Sequence, residues 1–262
     1  MAPLAPERPT AMTPISIQLY SLRDAAQKDF RGVLQAVADI GYKGVEAAGF
    51  HGLSPAEFRK IVEDLGMEIS GSHGPWAVPE NVSEVIETMR ILGLDMAATG
   101  FGPSNFADLE AILLTADKVN SVIEGLEPAG IQLFIHNHYW EFERLNGRLK
   151  YDLFLERSPK LKLEIDTYWA ANFGVEDPAE HVARHKERTV LLHIKDGPLV
   201  KGKAHVAVGS GKMNIPSVVN AADPKVLRWL VVEIDHSDTD VLTAVRESYQ
   251  YLTQSGLALG NK

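Results

Sequence analysis

LFIHNH (133–138) is the first of four short apolar runs that decide the fold; the others are LKLEID (161–166), VLLHIKD (190–196) and WLVVEID (229–235). Each run carries two ionisable side chains, two residues apart, near its end. These pairs are His136 and His138, Glu164 and Asp166, His193 and Lys195, and Glu233 and Asp235. Because side chains alternate between the two faces of a β-strand, both members of a pair point to the same side. The pattern predicts buried strands whose tips gather oxygen and nitrogen donors at one end of a sheet.

The rest of the chain continues the same alternation of strand and helix. Four more strand candidates occupy residues 15–20, 43–49, 67–73 and 95–100. Apolar residues at helical spacing predict helices at 29–42, 54–66, 82–93, 107–130, 177–188 and 238–252. Strands that alternate with helices form parallel sheets, and eight such units in 262 residues fit a closed barrel. We therefore predict one α/β catalytic domain, a single (β/α)8 TIM barrel over residues 14–262.

The composition excludes several classes of protein. The net charge is −9 and no basic run occurs, which disfavours a nucleic-acid partner. The chain has no Cys, so a bound metal must be held by nitrogen and oxygen donors. Residues 1–13, MAPLAPERPTAMT, lack the apolar core of a signal peptide and are expected to form a mobile tail. No apolar stretch approaches the length of a membrane span, and we expect a cytoplasmic protein without a membrane partner.

Strand tips in the second half of the chain provide candidate metal ligands. The active site of such a barrel lies at the carboxyl ends of the strands, and several acids close together need a cation to offset their charge. We expect Asp166, His193 and Glu233 to bind one divalent metal, each from a different strand. The fourth ligand is either His136 at the tip of strand five or Glu141 just beyond it, and we favour Glu141 because a carboxylate suits a hard metal. Mn²⁺ is the expected ion, and Mg²⁺, Co²⁺ and Zn²⁺ fit the same donors.

Seven motifs along the chain carry a family resemblance. They are QLYSLRD (18–24), GVEAAGF (44–50), GSHGP (71–75), HNHYWEF (136–142), EIDTYWA (164–170), HIKDG (193–197) and VVEIDHSD (231–238). Together they resemble the sugar phosphate isomerase/epimerase superfamily, the xylose isomerase-like barrels. The resemblance covers nearly the whole chain after residue 13. It implies a (β/α)8 barrel with one divalent metal, held here by a group on strand five together with Asp166, His193 and Glu233.

Strand five departs from the pattern of the superfamily. Sugar epimerases place a Glu at the tip of this strand and use it with the Glu of strand eight for proton transfer. Here the first position is His136, while Glu233 keeps the second. The HNHxxEF version resembles a subgroup that includes enzymes acting on 3-keto-glycosides, such as C-glycoside deglycosidases. His136 and His138 are therefore candidate bases, because an imidazole exchanges protons near pH 7.

Three functions are consistent with these features. The first is a metal-dependent sugar isomerase or epimerase that removes a proton next to a carbonyl and works through an enediolate. The second is a metal-dependent lyase or hydrolase that cleaves 3-keto-glycosides, because loss of the C2 proton permits elimination of the C1 substituent. The third is a non-catalytic sugar-binding barrel. A three-zinc nuclease of the endonuclease IV type is disfavoured, because the chain has only nine His and a net charge of −9.

Other polar and aromatic residues at strand ends are candidates for binding a sugar or glycoside. Lys195 is expected to act in catalysis as a hydrogen-bond or charge partner for substrate oxygens. The expected substrate-binding residues are Gln18, Glu46, His73, Trp76 and Trp169. Glu164 is a candidate for orienting a metal ligand, since such ligands usually need a partner. Because barrels of this superfamily often pair, we expect a homodimer.

Overall fold

Eight parallel strands form the centre of the protein in a computed structural model that describes residues 12–262. The barrel strands are β1 (Ile15–Gln18), β2 (Gly44–Ala47), β3 (Glu68–Ser72), β4 (Met96–Thr99), β5 (Gln132–His136), β6 (Lys162–Asp166), β7 (Thr189–Ile194) and β8 (Trp229–Val232). Their order is β3-β2-β1-β8-β7-β6-β5-β4, so the first and last strands are neighbours. Within these residues β3 and β4 share no ladder, but the Ala77 amide donates to the Ala98 carbonyl at 2.8 Å. The predicted (β/α)8 barrel is confirmed.

At least one helix follows each barrel strand. The helices are α1 (Arg23–Ile40), α2 (Pro55–Asp64), α3 (Val82–Leu92), α4 (Leu109–Leu126), α5 (Lys150–Arg157), α6 (Thr167–Ala170), α7 (Pro178–His185), α8 (Ile215–Ala221) and α9 (Val241–Gln254). The sequence pattern predicted all of them except α5, α6 and α8. These three helices are short, with 8, 4 and 7 residues. A hairpin of Arg144–Leu145 and Arg148–Leu149 also separates α5 from its strand.

The inside of the barrel is apolar toward the amino ends of the strands. A cluster of buried side chains lies there, formed by Met96, Ala98, Phe134, Val190, Leu191, Trp229 and Val231. The ring of Trp229 approaches the backbone of β2 so closely that a Cβ at Gly44 would lie 2.8 Å from it. Glycine at position 44 therefore lets the tryptophan close the floor of the barrel.

On three strands, the side chains of one face change from apolar to ionisable toward the carboxyl end of the strand. The pairs, two residues apart, are Phe134 and His136, Leu191 and His193, and Val231 and Glu233. Since side chains alternate along a strand, each ionisable residue lies above its apolar partner. The parallel register then places His136 beside Glu164, and Asp166 beside His193. The fold thereby collects ionisable side chains at the carboxyl end of the barrel.

The predicted mobile tail, residues 1–13, falls mostly on residues 1–11, which lie outside the described part of the chain. The Thr13 carbonyl accepts a hydrogen bond from the Leu259 amide at 2.9 Å, and Pro14 also pairs with Leu259. Among residues 12–262 we find no helix that is long and apolar enough to cross a membrane.

Candidate metal centre at the carboxyl end of the barrel

A cavity of about 450 Å³ opens at the carboxyl ends of the strands. Its wall is formed by Tyr20, Ala48, His73, Trp76, His136, His138, Trp169, Lys195, Glu233 and Asp235. Small-molecule sites in proteins occupy roughly 300–1,000 Å³, so the cavity has the size of a ligand site. Both members of the pairs that follow β5 and β8 line this wall, and the pair of β7 contributes Lys195.

Four buried side chains converge at this cavity and form the cavity group: His136, Asp166, His193 and Glu233. Each offers one ligand atom, and the four atoms lie within 4.8 Å of one another. His136 Nε2 is 3.5 Å from Asp166 Oδ2 and 3.8 Å from Glu233 Oε2. Neither His136 Nε2 nor Asp166 Oδ2 makes a hydrogen bond within the described residues, although both are buried. Such atoms are costly without a partner, and two nitrogen and two oxygen donors at this spacing fit a divalent metal.

The ammonium of Lys195 lies beside the cavity group. Its Nζ is 2.8 Å from Asp166 Oδ2, 2.9 Å from Glu233 Oε2 and 2.7 Å from Asp235 Oδ2. The contact with Asp166 is an ion pair without the alignment of a hydrogen bond. Burial acts to lower the pKa of Lys195, but the three carboxylates raise it well above its ordinary value. Lys195 is therefore a positive charge fixed next to the two acids of the cavity group.

Behind His193 lies a second set of side chains, the buried network: Gln18, Glu46, His73 and Glu164. His193 Nε2 is 2.7 Å from Glu46 Oε2 and 3.1 Å from Glu164 Oε1. Glu164 Oε2 is 2.6 Å from His73 Nε2, and Gln18 Nε2 donates to Glu46 Oε2 at 2.8 Å. The network thus holds the Nε2 side of His193 and leaves Nδ1 facing the cavity group. Carboxylates on the far nitrogen of an imidazole fix its tautomer and its orientation.

Glycine at position 71 makes room for this network. The register places Glu46 between Gln18 and Gly71, and a Cβ at Gly71 would collide with Glu46 Oε1. Together with His193, three members of the network also bring four ligand atoms within 4.8 Å of one another. Their imidazoles and carboxylates already contact one another at short distances, which suits a supporting role.

Charges in the cavity group stabilise one another. Burial acts to raise the pKa of Asp166, yet the Lys195 ammonium and His136 lower it to about 2. Burial likewise acts to raise the pKa of Glu233, and Lys195 and His193 bring it well below its ordinary value. For His193 the signs are reversed: burial acts to lower its pKa, and the surrounding Glu side chains raise it well above the ordinary value. The carboxylates are therefore ionised at neutral pH.

For two imidazoles and one acid in the cavity wall, burial shifts the pKa toward the neutral form of the side chain. Burial lowers the pKa of His136, and burial together with the His136 and Lys195 charges lowers the pKa of His138 to about 3. Both imidazoles are therefore neutral near pH 7. His138 Nδ1 makes no hydrogen bond within the described residues, and its ring stacks on Trp140 with centroids 4.2 Å apart. Burial raises the pKa of Asp235 to about 6, although Lys195 acts to lower it.

The structure brings His136, and not Glu141, together with the other three candidate ligands. Glu141 is fully buried, but its Oε2 accepts a hydrogen bond from the His138 amide at 3.0 Å and caps the 3₁₀ turn at Tyr139–Phe142. Burial also raises the pKa of Glu141 well above its ordinary value, which favours the neutral acid over a ligand carboxylate. The path of the chain after β5 places Glu141 against the backbone, and this geometry favours His136 as the candidate ligand from β5.

Three of the five predicted substrate-binding residues line the cavity, namely His73, Trp76 and Trp169. Trp76 lies at the rim with 38% of its surface exposed, and its ring packs 4.7 Å from that of His73. Gln18 and Glu46 do not line the cavity. Both are fully buried in the network: Gln18 donates to Glu46, and Glu46 also contacts His193. Their contact with a substrate stays a prediction.

Asn137 and Asp196 hold the site in place, although the sequence patterns did not single them out. Asn137 exchanges two hydrogen bonds with the backbone of Asp166, at 3.1 and 3.0 Å, and so ties the tip of β5 to that of β6. Asp196 accepts hydrogen bonds from the amides of Gly197, Gly209, Gly211 and Met213, which fixes the loop after β7. The sequence offered one signal for them: Asn137 lies inside the HNH motif, and Asp196 lies inside the HIKD motif.

The fold and these side chains define a class, the (β/α)8 barrels with candidate metal ligands at the carboxyl ends of the last four strands. Within that class, the chain belongs to the xylose isomerase-like TIM barrel family, whose sequence model matches residues 34–255. The resemblance to the sugar phosphate isomerase/epimerase superfamily is thereby confirmed. The narrower HNHxxEF subgroup stays a prediction.

Solved structures with this fold cover almost the whole chain. A sugar phosphate isomerase/epimerase from Parabacteroides distasonis is 25% identical, covers 97% of this chain and 98% of its own, and has a TM-score of 0.78. An L-ribulose 3-epimerase is 17% identical over 94% of this chain and 95% of its own, with a TM-score of 0.69. A D-allulose 3-epimerase from Methylomonas sp. is 13% identical over 93% and 98%, with a TM-score of 0.68. No curated protein matches the chain.

Proposed function

We propose that this protein is a divalent-metal-dependent sugar isomerase or epimerase that removes a proton next to a carbonyl. The cavity group carries the proposal: two imidazoles and two carboxylates, all buried, have ligand atoms within 4.8 Å of one another at a 450 Å³ cavity. Family membership and solved structures described as isomerases or epimerases support the same class of reaction. A non-catalytic sugar-binding barrel would have no use for His136 Nε2, a buried ligand atom that makes no hydrogen bond within the described residues.

His136, Asp166, His193 and Glu233 would hold the metal, with Mn²⁺ as the expected ion. Asp166 and Glu233 are ionised and His136 is neutral, which are the forms that ligands need, whereas His193, whose pKa is raised, would release a proton when the metal binds. When bound, the metal supplies positive charge that polarises a substrate carbonyl. The contacts of His193 Nε2 with the buried network would keep its Nδ1 turned to the site.

His138 is the residue that we assign to proton removal. It lines the cavity, and stacking on Trp140 holds the ring in place. The ring is unprotonated at neutral pH because its pKa is about 3. Negative charge that develops on the substrate oxygen would raise this pKa during the reaction and favour the imidazolium. His136, the other candidate base, directs its Nε2 toward Asp166 and Glu233 instead.

The remaining wall residues position the sugar. Lys195 and Asp235 form an ion pair at 2.7 Å on one side of the cavity and can exchange hydrogen bonds with sugar hydroxyls. Trp76 and Trp169 provide apolar surfaces on the other parts of the wall. Glu233 was also predicted to transfer a proton; its Oε2 lies within 2.9 Å of an ammonium and an imidazole, a setting that suits a ligand.

A metal-dependent lyase or hydrolase of 3-keto-glycosides is the second candidate. His136 favours it, because epimerases of the superfamily place a carboxylate at that position and use it for the second proton transfer. Elimination needs one base only: the electrons of the C2–H bond form a C1–C2 double bond while the bond from C1 to its substituent breaks, and the leaving group takes its proton from the protonated base or from water. His138 would take the C2 proton.

Deuterium exchange tests both candidates. The purified protein is incubated in deuterated water with ketopentoses, ketohexoses, their phosphates and a 3-keto-glucoside, and NMR follows exchange, isomer formation and release of the aglycone. We expect exchange that disappears after treatment with EDTA and returns with Mn²⁺. Exchange that survives chelation would contradict the metal-dependent reaction, and metal binding without exchange of any of these compounds would favour a binding barrel.

The variant His138→Ala separates the proposed base from the metal ligands. It should lose exchange and still bind one Mn²⁺ per chain. His236→Ala is the matched control, since the side chain of His236 is 71% exposed. Loss of the metal from His138→Ala would show that His138 is a ligand.

A further inference from the structure

The ammonium of Lys195 lies against the two carboxylate oxygens that the proposed metal would bind. Its Nζ lies 2.8 Å from Asp166 Oδ2 and 2.9 Å from Glu233 Oε2. A divalent metal bound by these carboxylates would sit roughly 2.0–2.2 Å from each ligand oxygen. Lys195 is 1% exposed, so the ammonium and the metal would be close positive charges in a site with little water to screen them. The two cations therefore compete for the same two acids.

A third carboxylate gives Lys195 another position. Asp235 Oδ2 is 2.7 Å from Nζ, and the side chain of Asp235 is 28% exposed at the cavity wall, whereas that of Asp166 is fully buried. The Asp235 amide donates to His205 Nδ1 at 3.2 Å, which fixes the backbone. The ring of Trp169 has its centroid 5.2 Å from Nζ. Asp235 and Trp169, which do not belong to the cavity group, thus contact the end of Lys195 on the cavity side.

We propose that Lys195 is an internal counter-ion that neutralises Asp166 and Glu233 in the metal-free protein and is released toward Asp235 and the cavity when the metal binds. The inference rests on the proposed metal site. It orders the steps before chemistry, because N–H groups of the ammonium become free for a sugar oxygen only after Nζ leaves Asp166 and Glu233. Lys195 therefore couples binding of the metal to binding of the substrate.

Calorimetric titration with Mn²⁺ and thermal unfolding in EDTA test this proposal. Lys195→Met removes the competing charge and keeps most of the length of the side chain. We expect Mn²⁺ to bind about tenfold tighter or more. The Tm of the metal-free variant should fall by roughly 10 °C, because three carboxylates lose their counter-ion. Lys150→Met is the matched control: Lys150 is 9% exposed and pairs with Glu143 at 2.7 Å, outside the cavity group, so Mn²⁺ affinity should not change.

Asp235→Asn distinguishes release of the ammonium from a simple loss of negative charge. In the wild-type background this change should weaken Mn²⁺ binding, because the released ammonium loses its acceptor. In the Lys195→Met background it should have little effect, and a double-mutant cycle measures the difference. Equal weakening in both backgrounds would overturn the proposal, as would unchanged or weaker Mn²⁺ binding by Lys195→Met.

A crystal structure of the Mn²⁺ form gives a direct answer without any variant. An Nζ beyond hydrogen-bond distance of Asp166 and still beside Asp235 would support release. An Nζ still 2.8 Å from Asp166 Oδ2 would overturn it and leave the metal site standing. Failure of the wild-type protein to bind Mn²⁺ would overturn the metal site and the counter-ion together.

Discussion

The cavity group and the buried network contain the same kinds of residue, but their surroundings differ. In the network, Glu46 and Glu164 are fully buried and both contact imidazoles. In the cavity group, His136 and Glu233 reach the cavity, and the acids face an ammonium as well as an imidazole. His193 belongs to both sets, with Nε2 toward the network and Nδ1 toward Glu233.

This difference shows that acids and imidazoles at strand tips divide into two roles. Residues that open onto the cavity are available to a metal and a substrate. Residues behind His193 fix the direction of its ring, and their carboxylates contact imidazoles rather than an ammonium. Substitutions in the two sets should therefore affect metal binding to different extents, although the residue types are the same.

The largest effect is expected from Asp166→Asn in the cavity group. The new amide can still accept the hydrogen bond that Asp166 Oδ1 takes from the Trp169 amide at 2.9 Å, so the fold should persist. We expect loss of the bound metal and a fall in deuterium exchange of roughly a thousandfold, or about 4 kcal/mol. Asp177→Asn is the control, because Asp177 also caps a helix but lies at α7. Retention of metal by Asp166→Asn would place the ion elsewhere.

A smaller effect is expected from Glu164→Gln in the buried network. The amide keeps the volume of the side chain but loses the charge that faces His193 Nε2 and His73 Nε2. Removing such a partner of a ligand typically costs 10–100-fold in metal affinity, and we expect a loss of about that size with one metal still bound at saturation. Metal titration measures both quantities. A loss as large as that of Asp166→Asn would make Glu164 a ligand.

Acid should destabilise the metal-free protein in part through His138. Its folded pKa of about 3 lies below the ordinary value of 6.5, so the unfolded chain binds the proton more readily and stability falls as the pH drops below 6.5. At pH 5 this residue should cost about 2 kcal/mol, and His138→Asn should remove that part of the loss between pH 7 and pH 5. Chemical unfolding in EDTA measures it, with His236→Asn as control. Parallel pH profiles of wild type and His138→Asn would contradict the burial of a neutral ring.

The smallest effect is expected from Glu141→Gln. Glu141 is kept neutral by burial, and a glutamine oxygen can accept the His138 amide in its place. Mn²⁺ stoichiometry should stay at one per chain, and the free energy of unfolding should change by less than about 1 kcal/mol. A variant without metal would restore Glu141 as the ligand from strand five.

The sequence predicted the barrel because strand and helix periods are local properties. Apolar strands between amphipathic helices identified all eight strands, and the helix predicted at 54–66 begins in the structure at Pro55, with Ser54 as its N-cap. The pattern did not predict the short helices α5 and α8. The hairpin before α5 sets the residue at which this helix begins. The residues of the helix itself do not reveal that hairpin.

The site was predictable where a residue belongs to a strand, and less so beyond the strand end. Asp166 and His193 follow the alternation of β6 and β7, and the structure places them together as expected. Glu141 lies in a 3₁₀ turn whose capping hydrogen bond draws its carboxylate to the backbone, and residue type alone does not reveal that direction. The burial of Glu46 depends on the absence of a side chain at Gly71, a contact between two strands distant in sequence.

The most direct measurement is an anomalous difference map from crystals soaked in Mn²⁺ and recorded at the manganese edge. The predicted result is one peak among the cavity group, roughly 2.0–2.3 Å from His136 Nε2, His193 Nδ1 and one oxygen each of Asp166 and Glu233. A peak beside Glu141, a peak within the buried network, or no ordered peak at saturating Mn²⁺ would contradict the assignment of the metal to these four residues.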